Sequence, residues 1–254
     1  MQQRVIACRL GSYDPFEAGA YAHMASLGIR HVEISVPPPD KIDSTCAELA
    51  QHGLIASSLH GECDVQKPGT GDQVAAQMPA FKALGTRLMF VSVRADNTPL
   101  DTVYARLHEA GDAAATHGVT IILETHPDLV TNARVARATM TGVNHPNVRI
   151  NFDTANVYYY NHDVDAVAEL RSIIDFVAAL HLKDTNGGYK TWNFPAIGRG
   201  VVDFNGVFGV LDDAAFAGPC TLEVEGIEGE TKTESLVRQR VADSVAYLHQ
   251  LGRF

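Results

Sequence analysis

The chain has 254 residues, 46% of them hydrophobic and 20% charged, with 30 acidic against 20 basic side chains and a formal charge of −10. That length is close to the roughly 250 residues of one eight-unit α/β barrel, and the acidic balance argues against nucleic acid and anionic membrane surfaces as partners. No apolar run of about 18 residues and no signal-peptide layout in the opening MQQRVIACRL are present, and Cys8, Cys46, Cys63 and Cys220 form no CxxC pair; the sequence reads as a cytoplasmic protein of one domain, 1–254, with neither a disulfide frame nor a structural zinc site.

In chain order, strand-like apolar runs fall at 5–10, 31–36, 55–60, 88–93, 119–124, 148–153, 177–181 and 220–223. Between them, segments 15–27, 44–52, 102–117, 164–176 and 234–251 repeat apolar residues three or four apart, the spacing of a helix face. A glycine stands in the turn before many of the strands, in SLGIR, QHGLI, ALGTR, THGVT and FAGPC, where a left-handed helix C-cap is expected. Runs such as TIIL and MFV are apolar on both faces, which fits parallel strands covered by helices. The expected fold is a closed (β/α)₈ TIM barrel. Its rival, an open doubly wound sheet, lacks support because ACRLGSYDP, rather than a GxGxxG turn, follows the first strand. The longest irregular stretch, 185–203 (TNGGYKTWNFPAIGRGVVD), follows the seventh strand and has the length of a functional loop.

Four of the strand-like runs end on a metal-ligand type of side chain: VTIILE on Glu124, VRINFD on Asp153, VAALH on His181 and CTLE on Glu223. In a parallel barrel all strand ends of one polarity meet at one rim, so these four side chains are expected to converge. A lone carboxylate at a strand end is as readily a helix cap or a salt-bridge partner, and a lone histidine a hydrogen-bonded core residue; four in register change the balance. Three carboxylates and one imidazole suit one divalent ion, with Mn, Mg, Co, Fe and Zn all compatible. TLEVEG leaves a choice at the last position, since Glu223 and Glu225 fall on the same face of a continuing strand.

The stretches LETHP at 123–127, NFDTAN at 151–156, HLKD at 181–184, IGRGVVDF at 197–204 and GPCTLEVEG at 218–226 resemble the xylose isomerase-like TIM barrels, which include ketose 3-epimerases, inosose isomerases and dehydratases, and endonuclease IV-type nucleases. The resemblance covers nearly the whole chain. It implies a metal held by Glu124, Asp153, His181 and Glu223, with Glu225 beyond the rim as a neighbouring or solvated group, and it implies that Glu124 and Glu223 also act as the acid–base pair of a sugar isomerase or epimerase. The implied substrate is a small polyhydroxylated ketone or aldehyde, and homo-oligomers are common among such proteins. In that chemistry a metal stabilises the enediolate that forms when a proton leaves the carbon beside a carbonyl.

His60, His126, Asn156, Lys183, Asp184, Trp192 and Arg199 are the candidate substrate contacts, with Glu33 a further pocket residue by resemblance. Glu33 and His126 are equally compatible with structural roles, and Lys183 with neutralising the carboxylates around it. Two departures from the family pattern stand out. Asn156 replaces a histidine common in relatives and cannot carry a proton, and Gly187 stands where ketose 3-epimerases usually place an arginine. Tyr189, Lys190, Trp192 and Arg199 are alternative lid residues; Trp192 and Phe194 are alternatively anchors of the long loop.

Three rival functions remain open at this level. Loss of a neighbouring hydroxyl after the same proton abstraction would give an inosose-type dehydratase. A non-catalytic sugar-binding barrel is compatible with the fold alone. A nuclease needs extra metal-binding histidines, and Val93 or Arg94, Asn156 and the VVDF stretch stand where those are expected.

Overall fold

The computed structural model describes residues 4–254, so part of the opening segment read for a leader, residues 1–3, lies outside it. The strands are β1 (Ile6–Arg9), β2 (His31–Ser35), β3 (Ile55–His60), β4 (Leu88–Val91), β5 (Thr120–Glu124), β6 (Val148–Asp153), β7 (Val177–Leu182), β8 (Asn193–Phe194), β9 (Cys220–Leu222) and β10 (Gly226–Ile227). Eight of them close a parallel barrel in the order β1-β2-β3-β4-β5-β6-β7-β9, while β8 and β10 pair separately. The helices are α1 (Ala20–Ser26), α2 (Ile42–Gln51), α3 (Thr70–Leu84), α4 (Leu100–Ala115), α5 (Ala133–Val143), α6 (Asn156–Tyr160), α7 (Ala166–Ile173), α8 (Phe204–Asp213) and α9 (Glu234–Gln250). This is the (β/α)₈ fold expected from the alternation of apolar runs. Among the described residues no helix is long and apolar enough to cross a membrane.

Strand periodicity divides the barrel into two cores. On β5, Ile121 and Leu123 join the large shell between strands and helices, whereas Ile122 packs with Phe90 of β4 and Ala179 of β7 in a small separate cluster. Stepping two residues onward from Ile122 and Ala179 reaches Glu124 and His181, so alternation aims both polar ends into the barrel above an apolar floor. Burying such side chains is worth about 1.5–3 kcal/mol each and sustains the polar layer above.

Several helix starts have a local cause. Asn132, Asp165, Asp203 and Thr233 each accept a backbone N–H from the first turn of the helix they precede, α5, α7, α8 and α9. Such caps contribute about 1 kcal/mol apiece. Asp203, in the VVDF stretch, is therefore a helix cap.

The turn glycines split into two kinds. Gly28, Gly53, Gly85 and Gly118 do take left-handed φ values of 63° to 83°. Gly218 of FAGPC does not: Ala215 takes the left-handed position after α8, with φ 49°, and a Cβ on Gly218 would sit 2.1 Å from the Ala178 carbonyl oxygen. Close approach of two backbones, rather than a cap, fixes that glycine.

The long loop after β7 also differs from the irregular stretch expected. Its β8 pairs antiparallel with β10, Phe194 opposite Gly226 and Asn193 opposite Ile227, clipping it to the segment after β9. Asp184, read above as a substrate contact, is the loop's anchor instead. Its Oδ1 accepts from the N–H groups of Thr185 and Val202 at 2.9 and 3.2 Å, and its Oδ2 from those of Gly198 and Gly200 at 2.9 and 2.7 Å. With both oxygens so engaged, Asp184 has little left to offer a substrate.

Candidate metal centre

Glu124 ends β5, Asp153 ends β6, His181 lies one residue before the end of β7, and Glu223 directly follows β9. One ligand-type atom from each lies within 4.8 Å of the corresponding atoms of the other three, and all four residues are buried. Register explains part of the convergence, since Asp153 stands opposite His181 on the paired strands β6 and β7.

The neighbours of each group leave one side of it turned to the cluster. Asp153 Oδ1 accepts from the backbone N–H groups of Ala155 and Asn156, both at 2.8 Å, which leaves Oδ2 buried without a hydrogen-bond partner. His181 Nε2 lies 3.1 Å from Glu33 Oε1, and Glu33 Oε2 accepts from the Ser58 hydroxyl at 2.7 Å. With Nε2 engaged by Glu33, Nδ1 is the ring nitrogen turned to the cluster; it is buried, has no well-formed hydrogen bond, and becomes a metal donor once its proton leaves. Glu124 accepts from the Ser92 hydroxyl on Oε2, while its Oε1 lies 3.3 Å from Asn156 Nδ2. Glu223 Oε1 is 2.5 Å from Arg9 Nη1, and its Oε2 lies 3.0 Å from His181 Nδ1. Two orphaned buried atoms facing two carboxylates make a donor set that fits a divalent cation.

Charge around the cluster is dense, with five carboxylates, Glu33, Glu124, Asp153, Glu223 and Glu225, against Arg9, Lys183 and His181. Burial would raise Glu223, but Lys183, His181 and Arg9 outweigh it and hold the carboxyl well below the usual range. Asp153 shows the opposite outcome: burial pushes it up to about 7 even with Lys183 opposing. His181 would be lowered by burial, yet Glu33 and Glu223 carry it well above the ordinary imidazole value. Lys183 Nζ is buried 3.4 Å from Glu223 Oε2, 3.8 Å from Asp153 Oδ2 and 3.3 Å from Asn156 Oδ1, and is also paired with Glu225. Glu225 thus stands behind the cluster as the lysine's counterion. The ammonium lies 4.3 Å from the centroid of the Phe194 ring, so β8 closes over the lysine.

The remaining expected contacts divide. His126 is 3.9 Å from Glu124 and sits between Tyr160 OH at 3.0 Å and Arg94 Nη2 at 3.3 Å. His60 packs on Phe90 and meets Arg9 at 3.5 Å, to the side of the four residues. Trp192 and Arg199 are not brought to the cluster. Trp192, 41% exposed, packs edge-on against Tyr159 and Phe194 and anchors the loop, and Arg199 is exposed on the same loop without a side-chain hydrogen bond among the described residues. Tyr189 lies against His162 on the outer rim, with the Lys190 ammonium 5.3 Å from its ring. Sequence reasoning missed Arg9, Ser92 and Tyr160. The rule that selected Glu124 and Asp153, a polar residue closing an apolar strand, also fits Arg9 at the end of IACR.

The fold and site together define a barrel with a buried carboxylate–histidine cluster at the C-terminal rim. Residues 21–245 match the family described as xylose isomerase-like TIM barrel, and the chain belongs to that family. A 137-residue stretch is 29% identical to L-ribulose-5-phosphate 3-epimerase UlaE of Salmonella paratyphi C (strain RKS4594), covering 53% of this chain and 46% of that protein. The match thus spans about half the length of each. Among solved structures, D-psicose 3-epimerase from Clostridium cellulolyticum H10 superposes with a TM-score of 0.78 at 14% identity, covering 96% of this chain and 98% of the other. A xylose isomerase domain protein from Planctomyces limnophilus gives 0.77 at 18% identity, covering 99% and 98%. At these identities the structural likeness concerns the fold.

Proposed function

We propose that the chain is a divalent-metal-dependent sugar isomerase or epimerase acting on a small polyhydroxylated ketone or aldehyde. The observation that carries this reading is the meeting of four ligand-type atoms from four strand ends, two of them buried and unpaired. The sugar epimerase among the sequence relatives supports it. Glu124, Asp153, His181 and Glu223 would hold the ion, and their three carboxylates and one imidazole suit Mn, Mg, Co, Fe or Zn. A divalent ion there supplies a Lewis acid that polarises the carbonyl and acidifies the proton on the neighbouring carbon.

The protein's own residues supply the proton transfers. Glu124, held by the neutral Ser92 hydroxyl and Asn156 amide, takes the proton: the C–H bond breaks, its electron pair moves toward the carbonyl oxygen, and the carboxylate becomes a carboxylic acid. Glu223 approaches from a strand three places further round the barrel and exchanges a proton at the other side of the substrate. Such acid–base catalysis is worth roughly 10²–10⁴ in rate. Lys183 and Arg9 keep the crowded carboxylates from repelling one another.

A second reading, a dehydratase, is favoured by one observation. The Tyr160–His126 pair, 3.9 Å from Glu124 through His126, offers a proton donor for a departing hydroxyl. The test for both is incubation of metal-loaded protein in D₂O with free ketoses, sugar phosphates and inososes, followed by NMR. Deuterium at carbon together with a new isomer supports the epimerase or isomerase, and deuterium together with a dehydrated product selects the lyase. Absence of exchange on every member of the panel overturns the enzymatic reading.

A further inference from the structure

Arg9 is the last residue of β1 and stands in register beside Glu33 of β2. Its Nη1 is 2.5 Å from Glu223 Oε1, its Nη2 is 3.5 Å from His60 Nδ1, and its Nε is 3.9 Å from Glu33 Oε1. The guanidinium lies 5.0 Å from the centroid of the Phe90 ring, so the apolar floor of the barrel supports it from one side. One residue thus touches a proposed metal ligand, the carboxylate that orients another ligand, and a pocket histidine.

Pairing with Glu223, a task Arg9 shares with Lys183 at 3.4 Å from the other carboxylate oxygen, uses only part of the guanidinium. Arg9 is not sealed in. Its side chain is 22% exposed, and with Glu33, Ser35, Thr45 and His60 it lines a cavity of about 240 Å³. A guanidinium carries five N–H donors, and the contacts named engage at most three. The rest are available to a ligand in that cavity, whose hydroxyl, carboxylate and imidazole lining suits a polyol chain.

We propose that Arg9 binds the substrate oxygen that gains negative charge when the proton leaves, and that the same guanidinium positions Glu223. The inference rests on the sugar isomerase or epimerase reading and deepens it: the carbonyl end of the sugar lies against Arg9 and its hydroxylated chain occupies the β1–β3 cavity. In the step concerned, the C–H bond breaks, the proton passes to Glu124, the electron pair shifts through the new C=C bond, and the carbonyl oxygen becomes an oxyanion facing the Arg9 N–H groups. A fixed donor aimed at a developing oxyanion typically contributes a factor of about 10²–10³.

The test compares wild type, Arg9→Ala and Arg9→Lys, all metal-loaded, on the free ketose that wild type converts best. The expected result for Arg9→Ala is wild-type metal content with kcat reduced about a hundredfold, and partial recovery on adding guanidinium chloride at millimolar concentration, because the small cation enters the vacated space. Arg9→Lys keeps the charge but not the forked donor, so it is expected to retain metal and remain at least tenfold slow; it stands in should the alanine variant fail to fold. Either variant within threefold of wild type overturns the role of Arg9, as does a loss in Arg9→Ala that guanidinium does not relieve. Inactivity of wild type on every sugar overturns the functional reading itself, which separates the two failures.

Discussion

Burial pushes the Asp153 carboxyl up to about 7, and the carboxylates of Glu33 and Glu223, against the effect of burial, draw a proton onto His181. A metal that binds both residues has to displace those protons, so its affinity is expected to rise as pH increases through about 7 and to level off once both ligands are bare. Calorimetry in buffers of different ionisation enthalpy checks this: proton release per ion should be larger at pH 6 than at pH 8. Glu33→Gln removes the carboxylate that accepts from His181 Nε2 and orients the ring, and is expected to weaken metal binding by about 10–100-fold with the four ligands intact. A metal titration that leaves the variant at wild-type affinity refutes that role. At this scale Glu124, Asp153, His181 and Glu223 were legible because each closes its own apolar run. Ser92 was not, because its contact with Glu124 joins the residue just after β4 to the end of β5 and only folding reveals it. Asp184 misled for the same reason: HLKD places it beside the ligand His181, but nothing local says that four backbone N–H groups will turn back onto it.

Among elements, the loop between β7 and α8 depends on that one carboxylate. Asp184→Ala leaves buried N–H groups of the loop without an acceptor and is expected to cost on the order of 2–4 kcal/mol, measured by urea unfolding. The variant should also lose order between residues 185 and 203, detectable as faster amide exchange there than in the barrel strands. Gly200 belongs to the same construction, since a Cβ there would lie 2.2 Å from the Thr185 carbonyl oxygen and 2.3 Å from Asp184 Oδ1. Element boundaries were legible where a single period dominates, as in β5 and β6. They were not at α3, where Pro79 interrupts the helical pattern, nor at α5, whose ARVARATMTGV mixes small, polar and charged residues around a narrow apolar stripe. Their neighbours supply what the local sequence lacks, as when α3 packs along α4 through Gly71 against the Glu109 backbone.

For the whole molecule, the proposed ligands come from β5, β6 and β7 and from the residue just after β9, so one ion would join half the circumference of the barrel. An ion at a hundred times its dissociation constant adds about 2.7 kcal/mol of stability. For a chain of this size that corresponds to a rise in Tm of roughly 5–10 °C. A thermal melt with and without a chelator measures it; an unchanged Tm across a metal titration argues against a site at these residues. The barrel itself was legible from the count and spacing of apolar runs, because parallel strands buried on both faces leave a continuous signature. The β8–β10 clip was not, since pairs of two residues each carry no period at all. That clip has a practical consequence. Trp192, the chain's single tryptophan, lies immediately before β8 and is 41% exposed, so intrinsic fluorescence excited at the indole reports on this corner of the rim alone. The protein carries its own optical probe, and a sugar or metal that tightens the clip should announce itself as a blue shift in emission without any label.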